Sequence, residues 1–307
     1  MSSAAEPVHE VLEAREVPLG GTRAMLVRRT LPSRTLRTIG PWCFVDHYGP
    51  HDVTGGPGMD VPPHPHTGLQ TVSWLLAGEV EHRDSVGSHA MIRPGELNLM
   101  TSGRGIAHSE VSTPGVTTLL GVQLWVALPD AHRGQPPHFE QHSQLPTLED
   151  AGSTTTVLMG ELGGKTSPAL TYAPMVGAYL RLTGAGQTVL PLEPGFEHGV
   201  LLMSGSATLD GVPTKIGDLT YLGGGRSELA VVADRPADLL LIGGAPFEEE
   251  LLMWWNFVGR SHEEIVADRT DWAAGTRFGN VGGYPGAALA APPMPTTRLM
   301  PRPRRPV

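Results

Sequence analysis

Residues 58–78 read GMDVPPHPHTGLQTVSWLLAG. Two histidines, His64 and His66, stand two apart just before a run in which Val72, Trp74 and Leu76 alternate with Thr71, Ser73 and Leu75. Alternation at period two marks a strand, and Gly78 breaks the run as a turn does. On an extended backbone residues i and i+2 point to one face, so both imidazoles can reach a single ion. A second stretch, TSGRGIAHSEV (residues 101–111), sets His108 and Glu110 at the same spacing. Two plus two inside a barrel, the pairs offer three neutral nitrogens and a carboxylate. Such a set suits Fe(II), Mn, Ni, Cu or Zn rather than Ca or Mg, which prefer all-oxygen shells. An octahedral ion would keep two positions open for substrate, water or dioxygen. Each pair alone also has a plainer reading. With 13 histidines in the chain an H-x-H arises by chance, Pro62-Pro63 can mark a turn, His108 can be a core histidine and Glu110 a solvated charge.

Outward from these segments the chain keeps the rhythm of short strands. RPGELNLM (93–100) gives a turn and a strand, and in TTLLGVQLWVALP (117–129) Val122, Leu124 and Val126 share a face. Residues 130–150 are polar, proline-rich and without period, the text of a linker. Beyond them at least four strand-like runs recur at roughly ten-residue spacing, as in a sandwich or barrel. LLAGEVEHRD (75–84) has a counterpart in LLMSGSATLDG (201–211), and RPGELNLM in KIGDLTYL (215–222). This weak internal repeat predicts two similar barrels. Ser261, with Glu264 three residues on, opens a capping-box helix. The expected fold is therefore all-β, two barrels with a short C-terminal helix. It divides into a metal-binding domain over 1–130, a linker over 131–150, a metal-free domain over 151–284 and a disordered tail over 285–307.

Composition narrows the function classes. The 307 residues suggest two domains, and 40% hydrophobic against 17% charged residues supplies their cores. Thirty-nine glycines and 29 prolines fit many tight turns rather than a helix bundle. A formal net charge of −9 argues against direct binding to nucleic acid. A single cysteine, Cys43, excludes both an internal disulfide and a thiolate cage. The amino terminus is acidic where a signal peptide would be basic, and no apolar run reaches the about 18 residues of a membrane span. No membrane segment is expected, and the cytoplasm is the expected location.

Gly58, five residues, then His64-x-His66 matches the opening of the first cupin motif, and Gly105, two residues, then His108 resembles the core of the second. HPHTGLQTVSWLLAGEVEHRDSVGSHAMIRPGELNLMTSGRGIAHSE (64–110) resembles the central block of the pirin family. VRRTLPSRTLRTIGPWCFVDHYGP (27–50), GVQLWVALP (121–129) and GGAPFEEELLMWWNFVGRSHEEI (243–265) resemble its flanking blocks. The resemblance implies a bicupin with a metal, usually iron, in the N-terminal barrel alone. Its implied ligands match His64, His66, His108 and Glu110. One departure stands out: the family commonly reads H-P-H-R-G-F-E-T-V, so Thr67 replaces an arginine and Gln70 a glutamate. On a continuous strand Gln70 would face the metal, yet glutamine cannot act as a base, and the plainer reading is that it orients an imidazole from outside the ligand set.

Other residues read more plainly. His82 and His89 lie on or beside a hairpin that can border the cavity mouth, Asp46-His47 reads as a hydrogen-bonded turn, and Trp74 and Trp125 read as core. His198 has no nearby metal-binding partner in sequence. Three functions compete. The resemblance implies a quercetin 2,3-dioxygenase, a flavonol bound as its anion and Glu110 acting as base. It equally implies an iron-dependent redox regulator acting through a protein partner. A metal-assisted isomerase is a third possibility, because cupins host that chemistry too.

Overall fold

Period-two patterning becomes sheet in the computed structural model, which describes residues 8–19, 25–56 and 58–302. The chain divides into two compact units. One, here the first unit, comprises Glu16–Arg29, Phe44–Ser143 and Glu248–Val307. Its larger sheet runs in the order Leu26–Leu31, Trp42–Asp52, Thr118–Ala127, Leu69–Ala77, Leu97–Thr101, His138–His142, with Arg15–Pro18 outside Leu26–Leu31. Its smaller sheet runs Asp60–His66, Ile106–Ser112, Val80–Asp84, His89–Ile92. Val27, Tyr48, Met59, Val61, Leu75, Val80, Ile92 and Leu119 form one apolar cluster of this unit. The second unit comprises Met1–Arg15, Thr30–Cys43 and Gln144–Phe247, again with a large and a four-stranded sheet. Its core gathers the inward residues of successive strands at period two: Val176, Ala178 and Leu180, then Val200 and Leu202, then Leu239 and Leu241.

The internal repeat has a structural basis in each unit. Gly78 turns between Leu69–Ala77 and Val80–Asp84 with φ 94°, and Gly205 turns between Glu197–Ser204 and Ala207–Leu209 with φ 83°. Both angles lie in the left-handed region that a side chain resists. The helix His262–Ala274 begins as expected, with the Ser261 hydroxyl accepting from the Glu264 backbone N–H at 3.2 Å, and ends at left-handed Gly275.

Three expectations about organisation differ from the structure. The units are not consecutive halves, since residues 30–43 group with the second and 248–302 with the first. The supposed linker contains strands: His138–His142 pairs with Leu97–Thr101, and Thr147–Asp150 with Ser153–Leu162. Edge strands bury little and need little apolar pattern, so their text reads as loop. The tail is also not free chain up to residue 302; residues 303–307 and the first seven lie outside the described residues. Leu289 N–H donates to Pro63 O at 2.8 Å, the Trp272 indole donates to Leu289 O at 2.8 Å, and Arg298 pairs with Glu263. Met294 and Leu299 pack against a cluster built on Phe257, Ile265 and Phe278.

One consequence for stability arises in the second unit. His198 is buried, and that burial lowers its pKa to about 4. In the unfolded chain the ring protonates near 6.5, so below that pH the unfolded state binds the extra proton and stability falls. Acidifying from about pH 7 to about pH 5 should cost about 2 kcal/mol through this ring. Urea unfolding of the parent and His198→Gln across that range checks it: the stability gap between them should narrow on acidification.

Candidate metal centre

Strand register brings the two histidine segments together. Ile106–Ser112 pairs antiparallel with Asp60–His66, setting His108 opposite His64 and Ile106 opposite His66. The register shifts between His108 and Glu110, where the partner strand carries one extra residue. His64, His66 and His108 are all buried, and one nitrogen from each lies within 4.8 Å of the others. The His66 and His108 Nε2 atoms stand 3.1 Å apart. Backbone carbonyls fix two of the rings: His64 Nδ1 meets Pro62 O at 2.9 Å, and His66 Nδ1 meets Asn256 O at 3.1 Å. A carbonyl only accepts, so each Nδ1 is the donor and each Nε2 keeps a bare lone pair.

The electrostatics suit a cation. Burial lowers the His64 pKa to about 4, and burial followed by neighbouring imidazoles holds His66 and His108 well below their ordinary value. Burial pushes the Glu110 carboxyl up, partly offset by the Gln123 amide, which donates to Oε2 at 2.8 Å. Glu110 lies on the strand that carries His108 but is not part of the histidine group within 4.8 Å. Tyr48 is buried, and burial followed by the nearby carboxylates of Glu110 and Asp46 raises its pKa. Trp125 borders the site rather than only filling core: its ring is edge-on to His66 at 5.1 Å and stacks on Phe44 at 4.0 Å. Arg29 lies over the other partner of that stack, 4.2 Å from the Phe44 centroid, and forks onto Asp46 at 2.7 Å.

Gln70 does not face the histidine cluster. Gly68, at φ 69°, separates the strand of His66 from Leu69–Ala77, and the alternation restarts in a different sheet. Register sets Gln70 opposite Val126 and Thr101, and its amide donates to Thr101 Oγ1 at 2.9 Å. Trp125 and Gln123, which meet His66 and Glu110, pair instead with Thr71 and Ser73. Thr67 also points elsewhere, donating to Asp268 Oδ2 at 2.8 Å. Asp46-His47 is strand, not turn: Asp46 binds Arg29, and both His47 ring nitrogens are buried without a hydrogen-bond partner among the described residues. His89 is exposed and pairs with Glu81, whereas His82 is buried beside His108.

The family model for pirin matches residues 24–126, and that for the pirin C-terminal cupin domain matches residues 178–279. This chain belongs to the pirin family. A Pseudomonas aeruginosa protein named "Putative quercetin 2,3-dioxygenase" is 45% identical to it over 92% of this chain and 89% of its own. The crystal structure of a quercetin 2,3-dioxygenase from Acinetobacter baumannii superposes with a TM-score of 0.91 at 40% identity, covering 94% of this chain and 97% of that one. An Escherichia coli pirin solved in complex with nickel(II) shares the fold, with a TM-score of 0.60 at 18% identity over 78% of this chain and 100% of its own. The expected fold and family thus hold for this pirin.

Several neighbours of the histidines escaped the sequence reading. Asn256 acts through its backbone carbonyl, from a segment 190 positions away, and no residue type announces that. Gln123 lies in an ordinary strand. His82 and Asp84 did carry a signal, because they repeat the i, i+2 spacing of the histidine pairs. In the second unit Glu197, beside His198, is committed to the Gly40 N–H at 3.0 Å and the Tyr221 hydroxyl at 3.0 Å.

Proposed function

We propose that this pirin holds one transition-metal ion, Fe(II) in the cell, on His64, His66 and His108 with Glu110 as fourth donor, and cleaves a flavonol with dioxygen. The observation that carries this reading is the convergence of three buried histidines, His64, His66 and His108, with one nitrogen of each within 4.8 Å of the others. The 3.1 Å between Nε2 of His66 and Nε2 of His108 also matches two nitrogens bound side by side to one ion at about 2.1 Å. The donor set of buried neutral imidazoles beside a buried carboxyl fits the same group. When bound, the ion supplies Lewis acidity toward an acidic hydroxyl and electrons for dioxygen chemistry.

The protein's own residues divide the remaining work. Glu110 takes the proton of the flavonol 3-hydroxyl, and the Gln123 amide holds its carboxylate in place. Trp125, edge-on to His66 and backed by Phe44, gives the site an aromatic neighbour. The low pKa of the three imidazoles keeps them available as donors rather than as cations. The two relatives that carry the dioxygenase name support the substrate class. The described residues include no helix long and apolar enough to cross a membrane, and we place the reaction in the cytoplasm.

The test is oxygen uptake by iron-loaded protein with quercetin, with carbon monoxide measured in the headspace. Equimolar dioxygen consumption and carbon monoxide release support the reading. No turnover by fully loaded protein sinks the dioxygenase assignment and leaves the redox-regulatory role, while anaerobic turnover of a keto compound would select the isomerase.

A further inference from the structure

His108 differs from its two companions in what holds its outer nitrogen. His64 and His66 are fixed by backbone carbonyls, whereas the Nδ1 of His108 meets Nδ1 of His82 at 3.4 Å. His82 in turn places Nε2 3.2 Å from Asp84 Oδ2. Strand Val80–Asp84 pairs with Ile106–Ser112 so that His82 lies opposite Glu110 and Asp84 opposite His108. All four side chains therefore share one face. Asp84 is anchored independently, its Oδ1 accepting from Val86 N–H at 3.0 Å and Ser88 N–H at 2.9 Å. The His82 ring is buried and stacks on Phe139 at 4.4 Å, which fixes its plane.

We propose, building on the metal-centre reading, that His82 and Asp84 are positioning residues that set the tautomer and orientation of His108 for metal binding. A carboxylate accepts and cannot donate, so the hydrogen between Asp84 and His82 sits on His82 Nε2. In a neutral ring the other nitrogen, His82 Nδ1, is then an acceptor. The hydrogen between the two rings must come from His108 Nδ1. His108 Nε2 is left with a bare lone pair, aimed at His66 Nε2. A side-chain chain of two members thus does for His108 what one carbonyl does for each of the other histidines. Outer partners of this kind hold ligand orientation and raise ligand basicity, and losing one lowers metal affinity by about 10–100-fold.

Two substitutions separate this from a merely structural role. His82→Phe keeps an aromatic ring for Phe139 but offers no acceptor to His108. Asp84→Asn is isosteric and keeps an oxygen for the Val86 and Ser88 amides, which turns its NH2 toward His82. His82 must then accept on Nε2 and carry its proton on Nδ1, facing His108, and the chain reverses. The experiment is nickel(II) titration of the full-length metal-free protein, followed by calorimetry and by the visible spectrum of the bound ion. Each variant should bind nickel about 10–100-fold more weakly with a shifted spectrum. The double variant should be no weaker than His82→Phe alone, because both changes cut one chain. The apo melting temperature of Asp84→Asn should stay at the parent value, so that variant decides the matter if His82→Phe fails to fold. Parent affinity and spectrum in Asp84→Asn would overturn the proposal, as would strictly additive losses in the double variant. A parent protein that takes up no nickel would instead overturn the metal-centre reading on which the proposal rests.

Discussion

A chain ending at Phe247 is expected to bind no metal and to lose the cooperative unfolding of its first unit. Residues beyond that point supply the Asn256 carbonyl that fixes His66 and the Val258 N–H that bonds Thr67 O at 3.1 Å. Asp268 receives the Thr67 hydroxyl, Glu264 receives Arg133, and Tyr284 donates to Asp60 at 2.8 Å. Leu252, Phe257, Ile265 and Phe278 are buried together with Ala107, the residue before His108. At about 1.5–3 kcal/mol per buried side chain, these four alone carry roughly 6–12 kcal/mol. A whole domain has only about 5–15 kcal/mol of net stability. The loss is therefore comparable to everything the unit has. Near-ultraviolet circular dichroism and metal analysis of the truncated chain check this, and a soluble, metal-loaded protein with a sharp transition would refute it.

Glu110→Gln, reloaded with iron to the occupancy of the parent, should turn over a flavonol about a hundredfold more slowly, within the usual reach of a lost general base. The amide keeps an oxygen for the ion and a partner for Gln123 but cannot take a proton. Gln70 is no substitute, because it lies on the opposite face of its strand, against Thr101. An unchanged rate at equal occupancy would remove Glu110 from proton transfer and leave it as a ligand alone.

How far the sequence could be read follows from the range of the rules involved. Period two holds inside one strand, so His64 with His66 and His108 with Glu110 were legible as pairs, and the two barrels as a repeat. The same rule carried across Gly68 failed for Gln70, because a left-handed glycine ends one strand and the next belongs to another sheet. The C-terminal arm was illegible for a different reason. Its apolar anchors, Met294 and Leu299, are spaced among prolines, and the backbone of Leu289 bonds to residues distant in sequence. The segment 130–150 misled in the same way, since edge strands such as His138–His142 bury too little to show a pattern. His82 and Asp84 share the i, i+2 spacing of the histidine pairs, and only register, which sets them against Glu110 and His108, gives that spacing meaning.

Elemental analysis of iron-loaded protein, after removal of free metal, tests most directly whether the ion sits on these histidines. The parent should carry about one ion per chain, and His66→Ala and His108→Ala should each retain less than about a tenth of that while keeping a folded, cooperative melting transition. Either histidine variant retaining a full equivalent of metal, or a parent that takes up none, would contradict the account.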